Sequence, residues 1–276
     1  MDNILYYPYI NLPPTEWSLR TLLYYEGIGT IVPYNYLRNT RHYDPFMKKL
    51  VDNELVIPIS PMDSLQNPHK VNREFISYLL SPGFKMNARR ASFRGSKFST
   101  IHKNKFTPEL SKIHSEKFDH ELFYQLEQAG LAKRNSEGWY SVEKQTADEL
   151  MTFIASVIGV KLNYLPTTDR LKRRPFKATG LKKKDYKIFK VQNKKREIVL
   201  EKLIPFPTQF DLKKLYKFKQ ENLRLLKRFK SKVEDIVLDP KVDIDSEVFE
   251  NKIDVLRDQK GKWLRILTGC KYRILI

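Results

Sequence analysis

The chain reads as an α/β protein: N-terminal βαβ units with a partly parallel sheet, then a helical middle, a basic hairpin and C-terminal helices. Three observations predict this. Short β-branched and aromatic runs alternate with helical patterns over roughly the first 80 residues, the signature of βαβ units. Apolar residues make up 41% of the 276 residues, with 15 Tyr and 16 Phe, enough for a sizeable core. The later half carries long amphipathic stretches broken by Pro. A division into a body over 1–165 and a basic region over 166–276 is expected from the composition.

Taken in order, Ile4 to Ile10 reads as a strand, and Thr15 caps a helix from about Glu16 to Tyr25. Ile28 to Val32 is a second strand. Asp44 as N-cap and Pro45 at the first helical position start a helix to about Asn53. Leu55 to Ile59 is a third strand, and Pro68 opens a helix through Phe75, Ile76, Leu79 and Leu80. Ser81 to Lys105 lacks a clear period and reads as a basic loop. Thr107-Pro108 starts a long helix to about Ala129, ended by Gly130. Trp139 to Val142 is strand-like, and Glu143 to Ile158 is an amphipathic helix.

Two strand-like runs, Lys187 to Val191 and Glu197 to Ile204, flank Gln192 to Arg196 and read as a hairpin with a basic tip. After Pro205 and Pro207, Asp211 caps a helix with Leu212, Leu215, Phe218, Leu225, Leu226, Phe229 and Val233 as its apolar stripe. Its other faces carry Lys213, Lys214, Lys217, Arg224, Lys227 and Arg228. A last helical run covers Ser246 to about Lys260. Trp263 to Ile276 is apolar with interspersed Lys and Arg, suited to packing into a core or onto a partner.

The formal charge of +19 is unevenly spread. Pro166 to Lys232 holds 23 Lys/Arg against 6 Asp/Glu, a net +17, and Lys85 to Lys105 adds +7 with no acid. Val233 to Asp258 is acidic, at −6. Such clustering is the electrostatic footprint of a nucleic-acid binder. The candidate phosphate contacts are the triplets Lys172-Arg173-Arg174, Lys182-Lys183-Lys184 and Lys194-Lys195-Arg196, with Arg89 and Arg90 in the smaller region. Phe176, Tyr186 and Phe189 interleave with them as stacking candidates. Contacts of this kind set affinity and salt dependence, and carry no base code.

No motif identifies a reaction. A nucleophile elbow, a phosphate-cradling Gly-rich loop and a His-Glu-x-x-His are all missing. Glu116 and His120 supply two metal ligands where a site needs three or four. Glu250-Asn251-Lys252, with Asp243 and Asp245 upstream, has the form of a metal-dependent nuclease motif but sits in a helical, acidic stretch. A single cysteine, Cys270, excludes an internal disulfide framework and a Cys-based zinc site. No cofactor and no metal are expected. Met1-Asp2-Asn3-Ile4 lacks the basic start of a secretory leader, and no run of about 18 apolar residues exists, so a cytoplasmic protein is expected.

Tyr6-Tyr7-Pro8-Tyr9-Ile10, Trp17, Leu22-Leu23-Tyr24 and Ile31-Val32-Pro33 resemble the start of a bacterial family of unknown function. Ile113-His114 with Lys117, Trp139 ahead of Glu143, and Pro205-x-Pro207 followed by Leu215, Phe218-Lys219 and Leu225 to Phe229 fit the same pattern, to about residue 232. The resemblance implies a bacterial or phage-related setting, in multi-gene loci that include antiviral ones. It brings no catalytic residues with it. The expectation is therefore a non-catalytic DNA- or RNA-binding protein, one subunit of a multi-protein bacterial assembly. The alternatives are an adaptor docking through its basic helix and apolar C-terminus onto a protein partner or a second copy, and a cryptic metal-dependent nuclease or toxin using Asp169, Asp185 and Glu201.

Overall fold

The structure is a computed structural model. It describes residues 3–65, 67–95, 110–114, 120–135, 139–169, 183–204 and 212–269, with the backbone alone at 62, 68, 69, 89, 92–95, 110–114, 120–121, 183–190 and 259–269. The protein is mixed α/β, and the chain divides into two compact units.

The first unit comprises Met1–Leu12, Gly27–Lys48 and Val56–Gly180. Its centre is a four-stranded, all-parallel sheet of order β3-β2-β1-β7, formed by β1 (Asn3–Tyr6), β2 (Gly27–Ile31), β3 (Val56–Ile59) and β7 (Tyr164–Thr167). The expected strand through Ile10 stops at Tyr6, two residues short of Pro8, which has no N–H to offer a ladder. Pro58 and Pro166 lie on the two edge strands, β3 and β7, where a missing donor is tolerated.

Side chains alternate across the sheet. Leu5, Tyr7, Ile31 and Ile59 face a core shared with Leu150, Ile154, Ala155 and Ile158 of the long helix α8 (Lys144–Leu162). Gly159 permits close approach of that helix to β7: a Cβ there would stand 2.6 Å from the Tyr164 carbonyl oxygen. The same core takes in α5 (Pro68–Leu79) and α7 (His120–Gln128), with Phe75 against Phe153 and Phe123 stacked on Tyr140. Tyr140 belongs to a three-stranded antiparallel sheet of order β4-β6-β5, from β4 (Leu110–His114), β5 (Ala132–Arg134) and β6 (Trp139–Glu143). Short helices α2 (Tyr34–Arg38) and α4 (Pro61–Ser64) come after β2 and β3, and α6 (Met86–Gly95) comes after α5. Helix α3 (Pro45–Asp52) begins as expected, with Asp44 Oδ1 accepting the Met47 N–H at 2.7 Å.

Two expectations are corrected in this unit. Part of the stretch expected to be a loop is helix α6, whose Met86 packs on the core and whose Arg90 donates to the Ala129 carbonyl beyond the end of α7. The helix expected over 107–129 starts only at His120; Leu110–His114 pairs instead with β6 as a strand. Gly130 does end α7, at φ +66°.

The second unit comprises Pro13–Glu26, Lys49–Leu55 and Leu181–Ile276. It contains helices α1 (Glu16–Tyr24), α9 (Lys183–Leu203), α10 (Leu212–Glu221), α11 (Leu223–Val237) and α12 (Glu247–Gly269). The basic hairpin is corrected: residues 187–204 do not form two strands but lie almost wholly in the 21-residue helix α9. No Gly or Pro occurs between Lys183 and Leu203, and Lys, Arg, Glu and Leu favour helix. Val199 and Leu203 are buried on α9, Val233, Ile236 and Val237 on α11, and Phe249 and Ile253 on α12. The single helix expected after Asp211 is broken at Asn222 into α10 and α11, with the predicted apolar stripe turned inward at Leu212, Leu215, Phe218 and Val233. No helix among the described residues is long and apolar enough to cross a membrane.

Candidate functional site

The largest described concentration of exposed cations lies in the second unit. Leu212 to Val237 holds nine Lys/Arg against three Asp/Glu. On α10, Leu212, Leu215 and Phe218 take the buried side, which leaves Lys213, Lys214 and Lys217 exposed. On α11, the burial of Val233, Ile236 and Val237 leaves Arg224, Lys227, Arg228 and Lys232 outside. Positions 224, 227, 228 and 232 are spaced by three and four, so they form one stripe.

Three ion pairs on this face are exposed. Lys217 meets Glu221 at 3.7 Å, Lys227 meets Glu26 at 3.1 Å and Lys232 meets Asp235 at 3.6 Å, all with the lysine more than half exposed. Ion pairs of this kind contribute about 0–1 kcal/mol and exchange readily for another anion. Arg224 and Arg228 have no ion pair among the described residues.

The candidate residues named from sequence are placed differently. Lys194, Lys195 and Arg196 sit on α9, where successive residues point about 100° apart. They cannot meet one phosphate backbone as a triplet. Lys194 is exposed. Lys195 is buried and donates to the Asp239 carbonyl at 2.9 Å. Arg196 grips Glu234 with two hydrogen bonds, of 2.6 and 2.8 Å. Arg90 is spent on Ala129. Lys183 and Lys184 lie in the first turn of α9 and Arg89 on α6, with the backbone alone described. Lys172, Arg173, Arg174 and Lys182 lie outside the described residues, as does Phe176.

Around Arg196 the charges are internal. Tyr24 of α1 donates to the same Glu234 carboxylate at 2.5 Å, and Lys230 stands over the rings of Tyr24 and Tyr25. Burial alone would raise the Glu234 carboxyl, but Arg196, Tyr24 and Lys230 together hold it below its ordinary range. Burial and the Glu234 charge push the Tyr24 hydroxyl up. Lys219 is equally internal: it donates to the Tyr25 and Glu26 carbonyls past the end of α1, at 2.8 and 3.1 Å, and burial lowers its amine to about 8. The net charge of a segment therefore overstates what it offers a ligand.

Asp185, one carboxylate of the nuclease reading, lies in the first turn of α9 with the backbone alone described. Asp169 accepts the Tyr6 hydroxyl at 3.1 Å in the first unit, and Glu201 is exposed on α9 in the second. Lys252 pairs with Asp239 at 2.7 Å, and Glu250 with Lys202. Among the described residues no three His, Cys, Asp or Glu side chains converge as metal ligands.

A groove of about 400 Å³ also opens between α11 and α12, lined by Ile236, Val248, Val255 and Leu256 and rimmed by Lys232 and Lys252. Val248 and Val255 are about half exposed, at 52% and 57%.

Comparison with protein-family models, with curated proteins and with solved structures finds nothing that matches this chain.

Proposed function

We infer that the protein binds a polyanion, DNA or RNA, through the exposed cationic face of α10 and α11, as a subunit of a bacterial assembly. The observation that carries this reading is the exposed stripe Arg224, Lys227, Arg228 and Lys232 on the side of α11 opposite the apolar contacts, with Lys213, Lys214 and Lys217 exposed on α10. Lys172, Arg173, Arg174, Lys182, Lys183 and Lys184 add charge of the same sign nearby in sequence. Lys195, Arg196 and Arg90 are not part of the interface, because their donors are engaged inside the protein. Binding by such a face is driven by counterion release and is insensitive to base sequence.

Fluorescence anisotropy with labelled 20-nucleotide DNA and RNA tests this. The affinity of the full chain is expected to fall by about tenfold or more between 50 and 200 mM salt, the effect of about two or more neutralised phosphates. The variant carrying Lys213→Glu, Lys214→Glu, Arg224→Glu and Arg228→Glu loses binding while keeping its helical circular dichroism. Undiminished binding by that variant contradicts the assignment. The α11–α12 groove favours a second reading, an adaptor for a protein partner. That reading takes over if the wild-type chain binds neither nucleic acid and instead copurifies with a protein that Val255→Glu releases.

A further inference from the structure

We propose that the groove between α11 and α12 is a self-complementary interface, through which a second copy of this chain docks about a two-fold axis. The groove lies wholly within the second unit, where the end of α11 faces the start of α12. Its volume is about 400 Å³, and Ile236, Val248, Val255 and Leu256 give it an apolar lining. Val248 and Val255 are seven residues apart, two turns, and so stand on one side of α12. Each is more than half exposed, whereas Ile236 and Leu256 are buried. Single exposed valines are ordinary, but a pair along an apolar groove marks a contact surface.

The two walls carry opposite charge. On α11, Arg228 lies one turn before Lys232, and Lys232 lines the groove. On α12, Glu247, Asn251, Asp254 and Asp258 are exposed and spaced by four, three and four, so they form one stripe, and Asn251 lines the groove. The charge of opposite sign on each wall is held locally: Asp235 by Lys232 at 3.6 Å, and Lys252 by Asp239 at 2.7 Å. Asp254 meets Arg257 at 2.6 Å, with both side chains about half exposed. Exposed pairs between neighbours on one helix, such as those of Lys232 and Asp254, exchange readily for a new partner. Arg228 and Asp258 have no ion pair among the described residues.

A groove with one cationic and one acidic wall is complementary to itself. A two-fold axis along it sets α11 of each copy over α12 of the other, and every contact then occurs twice. Arg228 and Lys232 meet Asp254 and Asp258 of the second copy, and the two apolar linings close on each other. Arg228 and Lys232 are shared with the polyanion-binding stripe, but Val248, Val255 and the acids of α12 are not, so the two surfaces can be tested apart. Lys213, Lys214 and Lys217 are on α10, and Lys227 lies about 100° around α11 from Arg228, paired with Glu26 at 3.1 Å.

Sedimentation velocity of the full chain, freed of nucleic acid, tests this between about 1 and 50 μM. The mass is expected to approach twice the 32.8 kDa of the chain. Val248→Glu with Val255→Glu raises the dissociation constant by about tenfold or more while the helical circular dichroism is kept. Asp254→Arg with Asp258→Arg does the same. Adding Arg228→Glu and Lys232→Glu to that variant brings the constant back to within about threefold, because the exchanged charges meet again. Lys213→Glu with Lys214→Glu, on the polyanion face, leaves dimerisation within about twofold. All these residues are exposed, so folding is retained; should the valine variant lose helicity, the charge exchange is read alone. A monomer at about 50 μM overturns the proposal, as does a dimer that neither the valine nor the aspartate variant weakens. A combined charge variant that stays monomeric with its helicity intact overturns the reciprocal pairing.

Discussion

Arg196 shows how a side chain's charge is visible in sequence while its use is not. Beside Lys194 and Lys195 it looks like part of a phosphate clamp. In the folded helix the three residues face different ways, and two of the three are engaged by Asp239 and Glu234. The adjacent Glu197 carries a consequence that can be measured. Burial, helped by the negative charge of Glu201 one turn on, raises its carboxyl from 4.5 to about 7, against the opposing pull of Arg196 and a hydrogen bond from Trp17. A carboxyl raised in the folded state favours folding most when it is protonated. Its contribution is therefore complete below about pH 4.5 and is lost as pH rises through about 7. Glu197→Gln should flatten that dependence, raising the melting temperature more at pH 8 than at pH 5. Equal shifts at both pH values would show that the group is not perturbed.

At the scale of the element, legibility depends on how local the deciding interaction is. The start of α3 is readable because Asp44 and Pro45 are adjacent to the N–H groups they serve, and the end of α7 because Gly130 adopts a left-handed conformation that other residues resist. Helix α8 begins one residue after the Glu143 read as its start, and Glu143 is its cap. Glu143 is 5% exposed, and its two carboxylate oxygens accept the Gln145 N–H at 3.1 Å, the Thr146 N–H at 2.8 Å and the Thr146 hydroxyl at 2.7 Å. Glu143→Ala should cost about 1–2 kcal/mol, as loss of a helix cap does, and Glu143→Gln less. Urea denaturation measures both; an unchanged midpoint for the alanine variant would remove the cap from the account. By contrast, α9 and β4 differ from their sequence expectations. Short apolar runs suit either period, and what settles β4 is pairing with β6, some thirty residues away, which no local signal carries.

For the whole molecule, the expected boundary at 165/166 reflects composition, whereas the compact units do not respect chain order. The second unit takes in Pro13–Glu26 and Lys49–Leu55 along with the basic region. Within it, Tyr24 donates to Glu234 and sets its ring edge-on to Phe229, the Tyr25 and Glu26 carbonyls hold Lys219, and Arg20 reaches the Ile204 carbonyl. Residues 166–276 produced alone would leave Arg196 and Glu234 without Tyr24, and the Lys219 amine without its acceptors. That fragment should lack the cooperative urea transition of the full chain. A sharp transition at the full-chain midpoint would mean that the early segments contribute nothing to the unit.

The α/β class, the starts of α1, α3, α5, α8, α10 and α12, the inward stripe of α10 and α11, and the places where positive charge is concentrated are all legible in the linear chain. Those properties come from periodicity and residue type, which a sequence displays directly. The exposed cations of α10 and α11 are visible in the same way, as the residues opposite that stripe. The folded chain alone settles that Lys195, Arg196 and Lys219 are withdrawn from the surface charge, because their partners, Asp239, Glu234 and the end of α1, are remote in sequence. It also settles the strand order. Only once β7 lies beside β1 does the Tyr6 hydroxyl reach Asp169, 163 residues away.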